Sequence, residues 1–487
     1  MTVRLSQKES GAYFTPNSVV SALVSWAVRR DGDRMLDPSC GDGRFLVEHS
    51  NSVGIEQDPV SAHIAIGRAP AALVHEGDFF QWAEATAERF ECTSGNPPFI
   101  RYQTFKGVVR ARALALCATQ GVMFSGLASS WAPFLVATAG LLKPGGRMAF
   151  VVPAEIGHAP YAAPLLEYLV AHFKRVQLVA VREKLFPDLS EDCWLLYTDG
   201  FGGSTDHIAF TVLDRFEWSA RPPKQAEKVP LNEWRESWNR RLRPYLLPAS
   251  IRDVYRTIAD GIESHRLSSF ANVGIGYVSG DNSFFHLRPS EAKRWKIPAT
   301  YLHPTVRTGR MLTQRSITPT TVAAWQEADE PIMLLRLQRG QELTPSVRRY
   351  LDSSAGQEAR QGYKCRNRDP WYSVPDVKVP DFIMSYMAGR SANLVQNSAG
   401  VTCTNTVHSV RVRDQALASK LLPSWGTPLS QLSCELEGHP LGGGMLKLEP
   451  REAGRVLFTA PDTIKHVSAS ALAEGISIMQ QWRHYVG

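Results

Sequence analysis

Over the first 200 residues, short apolar runs that read as strands alternate with segments of helical periodicity. A chain patterned in this way is confined to a mostly parallel sheet with helices on its faces. Val19, Val20, Leu23, Val24 and Ala27 recur at helical spacing behind Thr15-Pro16, which offer an N-cap and a first-turn proline. Strands are expected at 34–37, 53–56, 73–78 and 90–95, and the strongest at 148–152. The apolar run 127–142 is interrupted by Ser129, Ser130 and Thr138 and falls short of the ~20 residues that span a bilayer. It reads as a buried helix ended by Lys143-Pro144-Gly145-Gly146. The N-terminus has no apolar signal segment, so a cytoplasmic protein is expected.

At 487 residues the chain is too long for one ordinary core. Beyond Arg221-Pro222-Pro223-Lys224 the periodicity weakens, and domains of 1–225 and 226–487 are expected. Charge divides with them. Residues 1–220 hold 19 Lys and Arg against 23 Asp and Glu, and residues 221–487 hold 35 against 24, so the parts carry −4 and +11. A basic half beside an acidic one is what a polyanion-binding protein shows, although a solvated basic face looks similar. Seven widely spaced cysteines contain no Cys-x-x-Cys pair, which argues against a disulfide framework or a zinc site.

The loop Asp37-Pro38-Ser39-Cys40-Gly41-Asp42-Gly43 follows the first strand and precedes a short helix near Arg44, so it lies at the carboxyl edge of the sheet, where such folds bind ligands. It lacks the third glycine of a dinucleotide loop and the Lys-Ser/Thr pair of a phosphate loop. Glu56 ends the second strand, where an acid can accept both hydroxyls of a ribose. Asp78 and Phe79 end the third and suit the exocyclic amine and ring of adenine. Together they favour an adenosyl ligand without a pyrophosphate clamp. Asn96-Pro97-Pro98-Phe99 ends the fourth strand on the same edge. An exocyclic amine on an aromatic base is a poor nucleophile, because its lone pair is delocalised into the ring. The Asn96 side-chain oxygen and the Pro97 carbonyl can accept its two N–H bonds, the prolines hold that acceptor pair rigid, and Phe99 can stack on a base swung out of a duplex.

These motifs, in this order, resemble the gamma-type N6-adenine DNA methyltransferases of restriction-modification systems. The resemblance covers the first 200 residues. It implies a class I methyltransferase fold, Rossmann-like, with a mostly parallel seven-stranded sheet and helices on both faces, followed by a mixed α+β target-recognition domain. It implies S-adenosylmethionine as methyl donor, S-adenosylhomocysteine as product, and no metal. Gly11-Ala12-Tyr13-Phe14-Thr15-Pro16 is similar to the family's N-terminal motif, with Thr15 the side chain expected at the methionine carboxylate. Asp37, Pro38, Gly41 and Gly43 are implied beside the methionine part, Glu56 at the ribose, and Asp78 with Phe79 at the adenine. Phe134 resembles a second ring against that adenine, and Phe186 the aromatic that packs on the flipped base opposite Phe99. Two departures stand out: the family often has Tyr where Phe99 stands, and the strand Glu91-Cys92-Thr93-Ser94 is more polar than usual.

In the second half, the segments 273–282 and 363–372 resemble parts of target-recognition domains. Ser279, Asn282, Tyr363, Arg366, Arg368, Trp371 and Tyr372 are the candidate DNA contacts there, since interleaved Arg and aromatic residues suit phosphates and bases. The implied partner is double-stranded DNA, bound by a monomer in the prokaryotic nucleoid with no membrane involved. A functional pairing with a separate restriction endonuclease is allowed. Two alternatives share the Asn-Pro-Pro-aromatic chemistry: methylation of an RNA base, and of a protein glutamine.

Overall fold

The computed structural model describes residues 15–486 apart from 188, 190, 262, 263, 414 and 465. Gly11 to Phe14 of the N-terminal motif lie outside the described residues. The chain divides into two compact units at Leu246/Leu247.

The first unit is built on nine strands: β1 (Met35–Asp37), β2 (Ser52–Glu56), β3 (Leu73–Glu76), β4 (Phe90–Gly95), β5 (Leu142–Pro153), β6 (Phe173–Val181), β7 (Cys193–Phe201), β8 (His207–Leu213) and β9 (Glu227–Pro230). They form one sheet in the order β3-β2-β1-β4-β5-β7-β6-β8-β9. β1 to β5 are mutually parallel, and β7 runs antiparallel to β5 and β6. Its helices are α1 (Asn17–Ala27), α2 (Pro59–Arg68), α3 (Phe79–Ala85), α4 (Gly107–Thr119), α5 (Trp131–Ala139) and α6 (Ala163–His172). Strand alternation divides the core between the sheet's two faces. Met35, Ala149 and Val151 join α1 in one cluster, whereas Leu36, Val53, Ile55 and Phe90 join Phe79, Phe80 and Phe134 in another. The first seven strands in the order are those of a class I methyltransferase, and β8 and β9 extend that sheet by two.

That extension moves the expected boundary. β9 pairs antiparallel with β8, so residues 227–230 belong to the first unit and the division falls 21 residues beyond 225. Two local expectations also change. α1 begins at Asn17 with Pro16 in the cap position, and no side chain caps it, so Thr15 is not its N-cap. The buried helix within 127–142 is confined to Trp131–Ala139, all nine of its residues buried, because β5 already begins at Leu142 and carries the Pro-Gly-Gly turn.

The second unit is mixed α+β. A five-stranded sheet runs in the order Ala271–Ile275, Val407–Val412, Phe382–Ser385, Leu394–Asn397, Ser316–Ile317, and a four-stranded one in the order His286–Leu287, Met333–Leu335, Leu302–Val306, Thr402–Cys403. The C-terminal helix His466–Trp482 packs on Pro428–Glu437 and Ala249–Ala259. Behind it, fully buried Arg483 pairs with buried Glu435 at 2.8 Å and donates to the carbonyl of Gly389. Among the described residues no helix is long and apolar enough to cross a membrane.

Candidate active site

β1 has β2 on one side and β4 on the other, so the chain switches direction across the sheet between β3 and β4. The crevice at such a switch point opens at the carboxyl ends of the strands. Asp37, Glu56 and Asn96 all lie there, at the ends of β1 and β2 and just after β4.

The β1 loop can turn back on itself because Gly41 and Gly43 hold φ of +53° and +85°, the left-handed region that side chains resist. Gly43 also packs directly on α2: a Cβ there would stand 2.9 Å from the Ala65 Cα. Glu56 braces this loop from β2. One carboxylate oxygen accepts the Gly41 N–H at 2.8 Å and the other the Asp58 N–H at 2.7 Å. Burial raises the Glu56 pKa, against the lowering effect of those two N–H groups. Each oxygen still has a second lone pair for a ligand hydroxyl.

Asp37 is the most constrained acid of the crevice. It is fully buried, one oxygen accepts the Ser39 N–H at 3.2 Å, and the other has no hydrogen-bond partner among the described residues. Burial pushes its pKa up to about 8, opposed by the Ser39 N–H and reinforced by the charge of Glu56. β4 makes room for it, since a Cβ on Gly95 would meet the Asp37 carboxylate oxygen at 2.6 Å. Pro38, next in the chain, is one residue from Ser39, whose hydroxyl donates to the Asn96 carbonyl at 3.1 Å. The loop that lines the crevice therefore also holds the Asn96-Pro97-Pro98-Phe99 tetrapeptide.

In that tetrapeptide, Asn96 Nδ2 donates to the hydroxyl of buried Thr15 at 3.3 Å, which sets the orientation of the amide. The Asn96 carbonyl is taken by Ser39 and the Pro98 carbonyl by the Ser130 hydroxyl. Between them, nothing among the described residues donates to the Pro97 carbonyl. Phe99 is partly buried against the cluster that contains Phe186 and Leu185, so both expected target-base rings share one apolar wall. The polar strand that departs from the family pattern runs through the middle of the sheet. Ser94 there is satisfied by the Ala149 carbonyl at 3.0 Å.

Beyond β3, Asp78 caps α3 through the Gln81 N–H at 2.8 Å, with Arg112 at 3.7 Å. Phe79 and Phe134 are both buried, with ring centroids 4.5 Å apart. Phe80 meets Phe134 edge-on at 5.4 Å. The crevice thus joins Thr15, Asp37, Glu56 and Asn96 by direct contacts of the loops that bear them, and an aromatic cluster backs Asp78.

In the second unit, the two segments singled out from sequence pack on each other. A Cβ on Gly280 would meet Cys365 Sγ at 2.7 Å. Arg368 donates to the carbonyls of Ser279 at 2.5 Å and Val278 at 2.8 Å, and buried Ser279 donates to Asn282 at 2.6 Å. Trp371 lies against Phe284 at 5.7 Å and Tyr372 at 5.9 Å. Ser279, Arg368 and Trp371 are therefore engaged in building this region. Tyr363, Lys364 and Arg366 are exposed, and the Lys364 and Arg366 charges sit 5.8 and 5.4 Å from the Tyr363 ring. Among the described residues no group of three or more His, Cys, Asp or Glu is placed to hold a metal ion.

Residues 239–482 match the family described as Type II methyltransferase M.Eco57I, C-terminal domain, and residues 2–68 match N-6 DNA Methylase. The chain belongs to the M.Eco57I type II methyltransferase family. It is an adenine-N6 DNA methyltransferase of restriction-modification type. This methyltransferase is similar to the type II methyltransferase M.AccI of Acinetobacter calcoaceticus, 18% identical over 92% of this chain and 85% of that one. It is also similar to M.TthHB8I of Thermus thermophilus, 30% identical over 31% of this chain and 36% of that one. A solved structure of the type IIG restriction endonuclease BpuSI is 15% identical, covers 98% of this chain and 61% of that one, and gives a TM-score of 0.42.

Ser39 and Ser130 were not legible as site residues. Each acts through a hydroxyl bonded to backbone far away in sequence, and no motif announces such a pairing. Ser130 had one weak signal, its place just before an apolar helix, where serine commonly caps.

Proposed function

We propose that the first unit transfers a methyl group from S-adenosylmethionine to N6 of an adenine swung out of duplex DNA, and that the second unit supplies the sequence reading and most of the affinity. What carries this reading is the state of the tetrapeptide. The carbonyls on either side of Pro97 are held by serine hydroxyls and the Asn96 amide by Thr15, while the Pro97 carbonyl has no donor among the described residues. Asn96 Oδ1 and the Pro97 carbonyl would accept the two N–H bonds of the target amine. That favours a pyramidal nitrogen with its lone pair free to attack, and rigid acceptors need little reorganisation as the bond forms. Phe99 and Phe186 would hold the flipped base between them.

The crevice fits the cofactor. A buried carboxylate oxygen at Asp37 that has no partner among the described residues matches a cationic α-ammonium, and Gly41 and Gly43 let the turn's backbone come close to a ligand. Glu56 would take the ribose hydroxyls, Asp78 and Phe79 the adenine with Phe134 behind, and Thr15 would lie between the methionine end and Asn96. When bound, the cofactor supplies an electrophilic methyl group on a sulfonium centre. The same reading has the enzyme acting as a monomer in the cytoplasm, beside a separate restriction endonuclease.

The test is tritiated methyl transfer to unmethylated duplex DNA, RNA and protein in parallel, followed by nucleoside digestion and mass spectrometry. N6-methyladenine from DNA is expected. N4-methylcytosine as the sole product, or label confined to RNA or protein, would sink the assignment. The division of labour is read separately from the salt dependence of DNA binding, where each neutralised phosphate contributes a slope of about −0.9. Exchanging Lys364 and Arg366 for Ala should make that slope shallower and leave cofactor affinity unchanged.

A further inference from the structure

We infer that Ser130, which lies outside every motif of the family pattern, is a positioning residue for the target base, acting through Phe99. This rests on the methyltransferase reading above. The Ser130 hydroxyl donates to the Pro98 carbonyl and accepts the Ile100 N–H at 2.9 Å, and the Ser130 N–H donates to the Ile100 carbonyl at 2.9 Å. These three bonds bracket Phe99, fixing the peptide on either side of it. Ser130 itself is 1% exposed, so it cannot touch DNA.

Nothing else performs this task among the described residues. The Phe99 ring rests on one apolar wall, and Phe99 has no backbone bond of its own. The ring's direction is therefore set by the backbone on either side of it, which Ser130 holds. Ser130 also stands immediately before α5, and one turn into that helix Phe134 packs on Phe79 at 4.5 Å. A single short helix thus connects the wall of the cofactor crevice to the support of the target base. Displacing either would change the distance over which the methyl group moves, and misplacement by about 1 Å is enough to cost roughly a hundredfold in rate.

The experiment is a double-mutant cycle of Ser130→Ala and Phe99→Ala on the full chain. It is read by kcat for DNA methylation, by cofactor affinity, and by the fluorescence of 2-aminopurine at the target position. Ser130→Ala is expected to lower kcat by roughly 10 to 100-fold and to reduce the 2-aminopurine signal, with cofactor affinity held. In the Phe99→Ala background the same substitution should change kcat by no more than roughly twofold, the limit of independent behaviour. If alanine lowers the melting temperature enough to obscure kinetics, Ser130→Cys, equal in shape but a weak hydrogen-bonding group, completes the cycle. Equal losses from Ser130 substitution with and without Phe99 would overturn the positioning role, as would a fall in cofactor affinity matching the fall in kcat. A wild-type chain that methylates no DNA overturns the functional reading itself, which separates that failure from this one.

Discussion

Asp37 offers the most direct test of the crevice, because the structure sets both the sign and the size of its effect. Its carboxyl is fully buried, one oxygen is unpartnered among the described residues, and burial raises its pKa to about 8. An acid whose folded pKa is raised binds a proton in the native state that the unfolded chain has lost. Stability therefore falls as pH rises from the unfolded value near 4 toward 8, by up to about 1.4 kcal/mol per pH unit, and levels off above 8. At pH 7 roughly nine in ten molecules carry the proton, as follows from a pKa about one unit higher. A cationic α-ammonium placed against the carboxyl needs it ionised. Cofactor binding at pH 7 should then release most of one proton, and affinity should rise nearly tenfold per pH unit from about 6 toward 7. Over that range an α-amino group, which ordinarily titrates at about 7.7–8.0, keeps most of its own charge. The perturbation is Asp37→Asn, which preserves shape and cannot ionise. Calorimetry in two buffers of different ionisation enthalpy counts the protons. The variant should release none from this site, bind more weakly, and show no such pH slope. Its apo form should gain on the wild type in stability as pH rises to 8. Parallel pH profiles for the two proteins, or no proton released by the wild type, would refute the placement of Asp37 at the ammonium.

Three further outcomes follow from single contacts. Asn96→Ala should lower turnover by roughly 100 to 1,000-fold, the effect of losing one preorganised acceptor, while calorimetric cofactor affinity stays near that of the wild type; wild-type turnover would falsify its catalytic role. Gly43→Ala places a Cβ 2.9 Å from the Ala65 Cα at a φ of +85°. A cost of about 1–3 kcal/mol at that turn should appear as a cofactor affinity lowered roughly 5 to 150-fold, and an unchanged dissociation constant would remove the loop from the site. Arg483→Ala removes the cation paired with buried Glu435 at 2.8 Å, so the second unit should lose up to about 3–5 kcal/mol, read as an earlier denaturant midpoint. An unmoved midpoint would show that the pair is not structurally required.

How far the sequence could be read depended on whether an element was specified by its neighbours in the chain. The β1 loop and the Asn96 motif stand at the ends of strands β1 and β4, with glycines and prolines that local geometry demands, and both are legible in the sequence alone. The Pro222-Pro223 segment looked like a linker for the same local reason, yet it is held on the sheet: Gln177 Nε2 donates to the Pro223 carbonyl at 2.9 Å, and the chain then returns as β9. Prolines mark where backbone amides are not needed, which is true of a domain linker and equally of a connection clamped by side chains from elsewhere. Thr15 shows the converse. A Thr-Pro pair before a helix suggests a cap, but the hydroxyl is claimed across the crevice by Asn96, whose partner lies 81 residues on. In the second unit the sheets join Ala271–Ile275 to Val407–Val412 and Ser316–Ile317 to Leu394–Asn397. Strands so short carry almost no period of their own. The residues that hold a site together are in this respect like those strands, since their partners are chosen by the fold. Ser39 and Ser130 are therefore visible only in the tertiary structure, whereas Asn96, whose proposed role depends on its immediate neighbours, is marked in the sequence itself.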